Sequence, residues 1–158
     1  MMKPRKGIHI LPSLFTTGNV FCGFYSFIAA LNDKYFIAAW AIVFAIIFDV
    51  LDGRVARMTK TTSAFGMQYD SLADVISFGM APAFLCYAWV LKPFGRFGWM
   101  AAFLYLLCAA LRLARFNTTK PDIQGQYFIG LATPAAAAVI ASIIIAFEDL
   151  FGSRVHPG

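Results

Sequence analysis

Charged residues and soft metal ligands are scarce in this sequence. Of its 158 residues, only 13% are Asp, Glu, Lys or Arg, and it contains two histidines and three cysteines. Cys22, Cys86 and Cys108 form no C-x-x-C motif, so the pattern predicts neither a zinc site nor a disulfide framework and favours small buried apolar side chains. The net charge is +5, but the sequence contains no nucleic-acid-binding motif, which argues against a nucleic-acid partner.

Apolar residues are abundant instead, at 60% of the chain with 17 phenylalanines, and soluble domains are seldom so apolar. A membrane-spanning helix needs about 17 to 25 apolar residues. The runs that meet this requirement are Leu14 to Leu31, Tyr35 to Leu51, Asp70 to Leu91, Phe97 to Leu113 and Phe128 to Leu150. We therefore predict an all-α, polytopic integral membrane helix bundle. It forms a single domain over residues 1–158, with a basic leader over about residues 1–13.

Polar breaks separate these runs and predict turns or loops. They are Asn32 to Lys34, Gly53 to Gly66, Lys92 to Gly98 and Arg115 to Gly125. Lys and Arg are concentrated on one side of the predicted membrane, with Lys3, Arg5, Lys6, Arg54, Arg57, Lys60, Arg112, Arg115 and Lys120. Because cytoplasmic loops carry the excess of basic residues, this distribution places the Gly53 to Gly66 segment on the cytoplasmic side of the cell membrane.

Half of the acidic residues lie in one stretch, DVLDGRVARMTKTTSAFGMQYDSLAD. They are Asp49, Asp52, Asp70 and Asp74, out of eight Asp and Glu in the chain. On helices, spacings of three and four residues project each pair from one face. Four unpaired carboxylates at the membrane would be costly, since each charged side chain costs about 2.5 to 3.5 kcal/mol at the centre of a bilayer. Shared cations would offset this cost, and oxygen ligands favour Mg²⁺, Mn²⁺ or Ca²⁺ over zinc.

Small residues and an arginine follow the first aspartate pair. Gly53 and Ala56 leave room for the close approach of a ligand, and Arg57 offers a forked cation for a phosphate. Together with two divalent ions, these residues predict a pyrophosphate pocket. The alternative is structural: Gly53 and Ala56 permit tight helix packing and Arg57 extends to the membrane interface.

The whole stretch, D-x2-D-G-x2-A-R-x8-G-x3-D-x3-D, resembles the signature of the CDP-alcohol phosphotransferase family. Its fixed positions are Asp49, Asp52, Gly53, Ala56, Arg57, Gly66, Asp70 and Asp74. The flanking segments LPSLFTTGNVFCGF, SFGMAPA, ALRLARFN and FIGLATPAAA resemble the branch of the family whose acceptor alcohol is serine. The likeness extends from about Leu11 to Ala138.

The resemblance implies a role for each residue of the motif. Asp49, Asp52 and Asp70 would ligate one metal ion, Asp49, Asp70 and Asp74 would bracket a second, and Asp74 would accept the proton of the attacking alcohol. Mg²⁺ or Mn²⁺ would be the metal. The nucleotide site would comprise Asp52, Gly53, Ala56, Arg57 and Gly66, with Thr17 and Asn19 on the first helix as neighbours.

The implied reaction is transfer of a phosphatidyl group from CDP-diacylglycerol to serine, with release of CMP. Arg112 and Arg115 are candidates to bind the serine carboxylate, and Ser71 and Ser77 are candidate hydrogen-bonding neighbours. Alternatively, the arginines only contribute to the excess of basic residues on the cytoplasmic side. The serines could instead form hydrogen bonds to the backbone of their own helix. The resemblance also implies a homodimer and six or more membrane helices. Either the C-terminal part of the domain is shortened here, or one of the helices is divided differently from the five runs above.

Two other functions remain compatible with the residues. Glycerol 3-phosphate or an inositol phosphate is an alternative acceptor within the same family. A divalent-cation channel or transporter could also use intramembrane aspartates, although an arginine beside the ions would impede the passage of cations.

Overall fold

The structure is a computed structural model that describes residues 10–60, 63–118 and 132–152. These residues form helices and include no β-strand. The α-helices are α1 (Ile10–Leu31), α2 (Tyr35–Thr59), α3 (Ala64–Asp74), α4 (Ala81–Cys86), α5 (Arg96–Thr118) and α6 (Thr133–Phe147). The remaining helical turns are the π-helical Val75–Met80, Tyr87–Leu91 and Glu148–Gly152 and the 3₁₀ turn Lys92–Phe94.

Five helical spans in the described residues are long and apolar enough to cross a membrane. They are Ser13–Leu31, Tyr35–Thr59, Ala64–Phe94, Arg96–Thr118 and Thr133–Gly152. The third span joins α3, α4 and the turns around them into one continuous helix. The all-α membrane bundle predicted from the sequence is confirmed. The predicted start of the last span, Phe128, lies outside the described residues, as do residues 1–9 of the predicted basic leader. Residues 10–13 of that leader instead form the first turn of α1.

The prediction of a loop from Gly53 to Gly66 is wrong about its extent. Helix α2 continues through Gly53 to Thr59, and α3 already begins at Ala64. The segment after Gly53 contains good helix formers and no proline, so it prolongs the helix beyond the apolar run. Lys60 then ends α2 in the left-handed conformation, with a φ of 51°. The predicted loop from Arg115 to Gly125 also starts too early, because α5 continues to Thr118.

Helices α1 and α2 form a hairpin packed through alanines. The turn between them includes Asp33, whose φ is 57°, in agreement with the break predicted at Asn32 to Lys34. Near the turn, the Ser26 hydroxyl donates to the Ala38 carbonyl over 2.8 Å. The buried alanines of the hairpin are Ala29, Ala30, Ala38, Ala39, Ala41 and Ala45. Small side chains let membrane helices approach closely, and many large apolar side chains, such as Phe21, Phe24 and Phe103, are exposed on the outside.

The third span lies against this hairpin and brings the second aspartate pair to the first. Phe78 and Leu85 of this span are fully buried in the same core as Ile42 of α2. Gly23 of α1 permits the closest approach, since a Cβ there would lie 2.8 Å from the Ser77 Cα atom. At the other end of the hairpin, the start of α1 therefore faces both the end of α2 and helix α3.

Candidate active site

Three carboxylates from two helices meet at the end of the bundle where α2 stops and α3 begins. One oxygen each of Asp49, Asp70 and Asp74 lies within 4.8 Å of the others, and all three residues are half-buried. Asp70 and Asp74 are four residues apart on α3, so they project from one face. We call these three residues the carboxylate trio.

The trio suits a hard divalent cation. The Oδ1 atoms of Asp70 and Asp74 are buried and have no hydrogen-bond partner among the described residues. Buried acceptors without a partner are costly, and adjacent carboxylates repel one another unless a cation lies between them. All three donors are carboxylate oxygens, the ligands that Mg²⁺, Mn²⁺ and Ca²⁺ prefer. The residues present thus fit the metal that the sequence motif implies.

Asp52 lies outside the trio. It is on α2, one turn after Asp49, and it is only 4% exposed. Its Oδ2 atom accepts a hydrogen bond of 2.9 Å from the Thr16 hydroxyl of α1. Sequence reasoning did not single out Thr16. Its spacing of three residues from Asn19, on the same face of α1, is the signal that could have identified it.

The residues predicted to bind the nucleotide are arranged along the last turns of α2. Ala56 is half-buried, Arg57 is exposed in the last helical turn, and Gly53 is exposed. A Cβ added at Gly53 would have no atom within 4 Å among the described residues. This space is compatible with the predicted close approach of a ligand, and packing of α2 within the described chain does not require a glycine here.

Gly66 has a structural explanation. Its N–H donates over 3.0 Å to the hydroxyl of Ser63, the residue that caps the start of α3. Serine is a preferred helix N-cap because its oxygen satisfies a free backbone N–H of the first turn. A Cβ at Gly66 would lie 3.1 Å from the same hydroxyl. The cap gives Gly66 a role in starting α3, and its nucleotide role remains a prediction.

Two predicted neighbours on α1 differ in their surroundings. The Thr17 hydroxyl donates to the Ser13 carbonyl over 2.7 Å and is 3.0 Å from the Tyr69 hydroxyl, which ties α1 to α3 beside Asp70. Asn19 is fully buried, and neither its Oδ1 nor its Nδ2 atom has a partner in the part of the chain that the structure describes. Asn19 is therefore the stronger candidate for contact with a ligand, because a buried amide without partners is costly.

The acceptor-site candidates are held in structural contacts. The Ser71 hydroxyl donates to the Met67 carbonyl over 3.0 Å and accepts from Asn117 Nδ2 over 2.8 Å. The Ser77 hydroxyl donates to the Asn19 carbonyl over 2.9 Å. Arg112 and Arg115 lie in the last part of α5. The hydrogen bond from Asn117 to Ser71 connects this part of α5 to α3 near the trio.

Comparison with known proteins identifies the family. The CDP-alcohol phosphatidyltransferase family matches residues 9–156. A CDP-diacylglycerol--serine O-phosphatidyltransferase of Helicobacter pylori is 42% identical over 142 residues, which are 90% of this chain and 60% of that protein.

Proteins of the same name give similar matches in other organisms. The one from Mycobacterium leprae is 39% identical over 92% of this chain and 50% of its own length. The one from Methanocaldococcus jannaschii is 47% identical over 63% of this chain and 46% of its own length. This chain thus spans about half of the curated relatives it matches. With a match over nearly all of its residues, and a carboxylate trio at the centre of the matched region, the chain belongs to the CDP-alcohol phosphatidyltransferase family.

Proposed function

We propose that this chain transfers the phosphatidyl group of CDP-diacylglycerol to the hydroxyl of serine, giving phosphatidylserine and CMP. The observation that carries the proposal is the carboxylate trio, which two helices of a membrane bundle assemble within the family's motif. Relatives named for this reaction support serine as the acceptor. A membrane enzyme also suits a donor with two acyl chains, which remain in the bilayer.

In the proposed reaction, the serine hydroxyl oxygen attacks the phosphorus that carries the diacylglycerol. The new P–O bond forms as the bond from this phosphorus to the CMP oxygen breaks, and CMP leaves with that electron pair. Asp74 accepts the serine proton, because its carboxylate lies at the trio and its Oδ1 atom has no partner among the described residues. General-base catalysis of this kind commonly contributes about 10²- to 10⁴-fold to a rate.

The carboxylates would also hold two divalent cations, Mg²⁺ or Mn²⁺. Asp49 and Asp70 would contact both ions, Asp52 would complete the first and Asp74 the second. When bound, these ions neutralise the charge of the pyrophosphate and of the departing CMP. Asp52, Gly53 and Ala56 would border the cytidine, while Arg57 would bind a phosphate.

The proposal also includes the acceptor site, the side of the membrane and the oligomeric state. Arg112 and Arg115 would bind the serine carboxylate at the end of α5. The basic residues near the end of α2 support a site on the cytoplasmic side of the cell membrane. The protein would act as a homodimer, as the family resemblance implies. A phosphorylated acceptor is the second candidate, whereas a cation channel loses its support because the family match explains the aspartates.

The test is an assay of purified protein in detergent with CDP-diacylglycerol and a panel of alcohols. Serine should stimulate CMP release, and labelled serine should enter the lipid fraction. The Asp49→Asn variant is the matched negative control because it keeps the side-chain volume while removing a charge of the trio. If only glycerol 3-phosphate or an inositol phosphate stimulates CMP release, serine is the wrong acceptor. If no alcohol does so, the proposed transfer is wrong.

A further inference from the structure

Thr16 makes a buried contact to the one motif aspartate that lies outside the trio. Its side chain is 4% exposed, as is that of Asp52, and the two are joined by the 2.9 Å bond between α1 and α2. A hydrogen bond to a charged acceptor is stronger than one between neutral groups. Threonine is also suited to hold a partner in place, because its branched Cβ restricts rotation about χ1.

The orientation of Asp52 needs such a restraint. Asp52 follows Asp49 by three residues on α2, so both side chains project from neighbouring positions on one face. In the proposed function Asp52 completes the first ion beside Asp49 and Asp70, so its carboxylate must be held in one orientation to reach that ion. The hydroxyl of Thr16 on α1 donates to Oδ2 of Asp52 and so fixes this oxygen. The next residue along α2 is Gly53, where a Cβ would meet no described atom within 4 Å.

Tight packing of α1 brings the short threonine side chain within reach. A Cβ at Gly18 would lie 3.2 Å from the ring of Phe48 on α2. The α1 backbone therefore lies close to α2 only two residues after Thr16. The position of Thr16 thus depends on the helix packing and not on a flexible loop.

We propose that Thr16 is a positioning residue, which fixes the orientation of the Asp52 carboxylate between the carboxylate trio and the nucleotide side of the site. This inference rests on the proposed function, since it assigns the nucleotide to the Gly53 side of α2. Thr16 acts through Asp52 and does not itself touch the reacting atoms. Removal of its hydroxyl should therefore weaken nucleotide binding more than it slows the chemical step.

The test compares Thr16→Val, which keeps the shape, with Thr16→Ser, which keeps the hydroxyl. CDP binding in the presence of Mn²⁺ is measured by equilibrium dialysis, and the KM for CDP-diacylglycerol and kcat are measured separately. Thr16→Val should weaken CDP binding and raise this KM about tenfold, as expected for loss of one hydrogen bond to a buried charge. Its kcat should change less, by about threefold or under. Thr16→Ser should keep CDP binding and the KM for CDP-diacylglycerol within about twofold of the wild-type values.

A matched control and a double mutant separate positioning from packing. Thr59→Val makes the same chemical change where the hydroxyl bonds its own helix, at the Val55 carbonyl, and should leave CDP binding unchanged. In an Asp52→Asn background, Thr16→Val should have little further effect, because coupled residues are not additive. If Thr16→Val does not elute as a folded protein, Thr16→Ala replaces it in the same comparison.

Three results would overturn the inference. They are unchanged CDP binding in Thr16→Val, equal weakening in Thr16→Val and Thr16→Ser, and full additivity with Asp52→Asn. The test is separable from the proposed function. A wild-type protein that binds CDP but transfers nothing to serine contradicts the proposed reaction, while the CDP comparison still decides on Thr16.

Discussion

The two ends of the α1–α2 hairpin differ in whether their buried polar groups have hydrogen-bond partners. Beside the turn, Ala30 and Ala39 are buried, and the buried Ser26 hydroxyl has a backbone partner. Toward the other end, Asn19 lies about 16 Å along α1 from Ala30 by the helical rise, and it and two aspartates of α3 have buried polar atoms without partners in the described chain. The first end satisfies its groups and stabilises the fold. The second leaves groups unsatisfied, which is costly in a membrane protein and typical of a ligand site.

The difference predicts that metal removal affects the two ends unequally. Excess chelator should reduce CMP release to background, because the trio would be left without compensating cations. The helical content in detergent should persist, since the alanine-packed end requires no metal. Activity and circular dichroism are measured on the same sample, followed by add-back of Mg²⁺, Mn²⁺ and Zn²⁺. Mg²⁺ or Mn²⁺ should restore turnover and Zn²⁺ should do so poorly. Full turnover in chelator would rule out the metal site.

Within the polar end, two conservative substitutions should separate proton transfer from binding. Asp74→Asn keeps the volume and one oxygen but removes the basicity, so turnover should fall by about 10²- to 10⁴-fold while CDP-lipid binding suffers less. Asp49→Asn should weaken metal and CDP-lipid binding together, because Asp49 is expected to contact both ions. Both variants are compared with wild type for CMP release and CDP-lipid affinity, with folding checked by size-exclusion elution. Near-normal turnover in Asp74→Asn would show that Asp74 is not the base.

The smallest expected effect concerns a pair of glycines. Gly23→Ala would place a Cβ 2.8 Å from the Ser77 Cα atom, and overpacking of this kind commonly costs about 1 to 3 kcal/mol. Gly53→Ala meets no described atom within 4 Å, and alanine in a helix interior is favoured over glycine by about 0.5 to 1 kcal/mol.

In thermal unfolding measured in detergent, Gly23→Ala should therefore lower the melting temperature and Gly53→Ala should raise it. The KM for CDP-diacylglycerol should rise in Gly53→Ala if the nucleotide occupies the space beside α2. A destabilised Gly53→Ala variant would mean that the glycine is needed for packing. An unchanged KM in a stable variant would remove Gly53 from the nucleotide site.

The number of spans and the grouping of the aspartates were predictable from local pattern. Apolar run length determines where a chain can cross a bilayer, and the spacings of Asp49 to Asp52 and Asp70 to Asp74 determine which side chains share a helix face. The motif predicted a site at the junction of two helices, and the structure brings Asp49, Asp70 and Asp74 together there. Helix ends were less predictable, since α2 continues past the end of its apolar run to Thr59.

Only the tertiary structure separated Asp52 from the other three aspartates and joined it to Thr16, 36 residues earlier in the chain. It likewise joined Thr17 to Tyr69 and Asn117 to Ser71. These contacts depend on how each helix is rotated and how closely it packs, as at Gly18 and Gly23. Periodicity along one helix assigns a residue to a face, but the partner of that face is chosen by packing between helices that are distant in sequence.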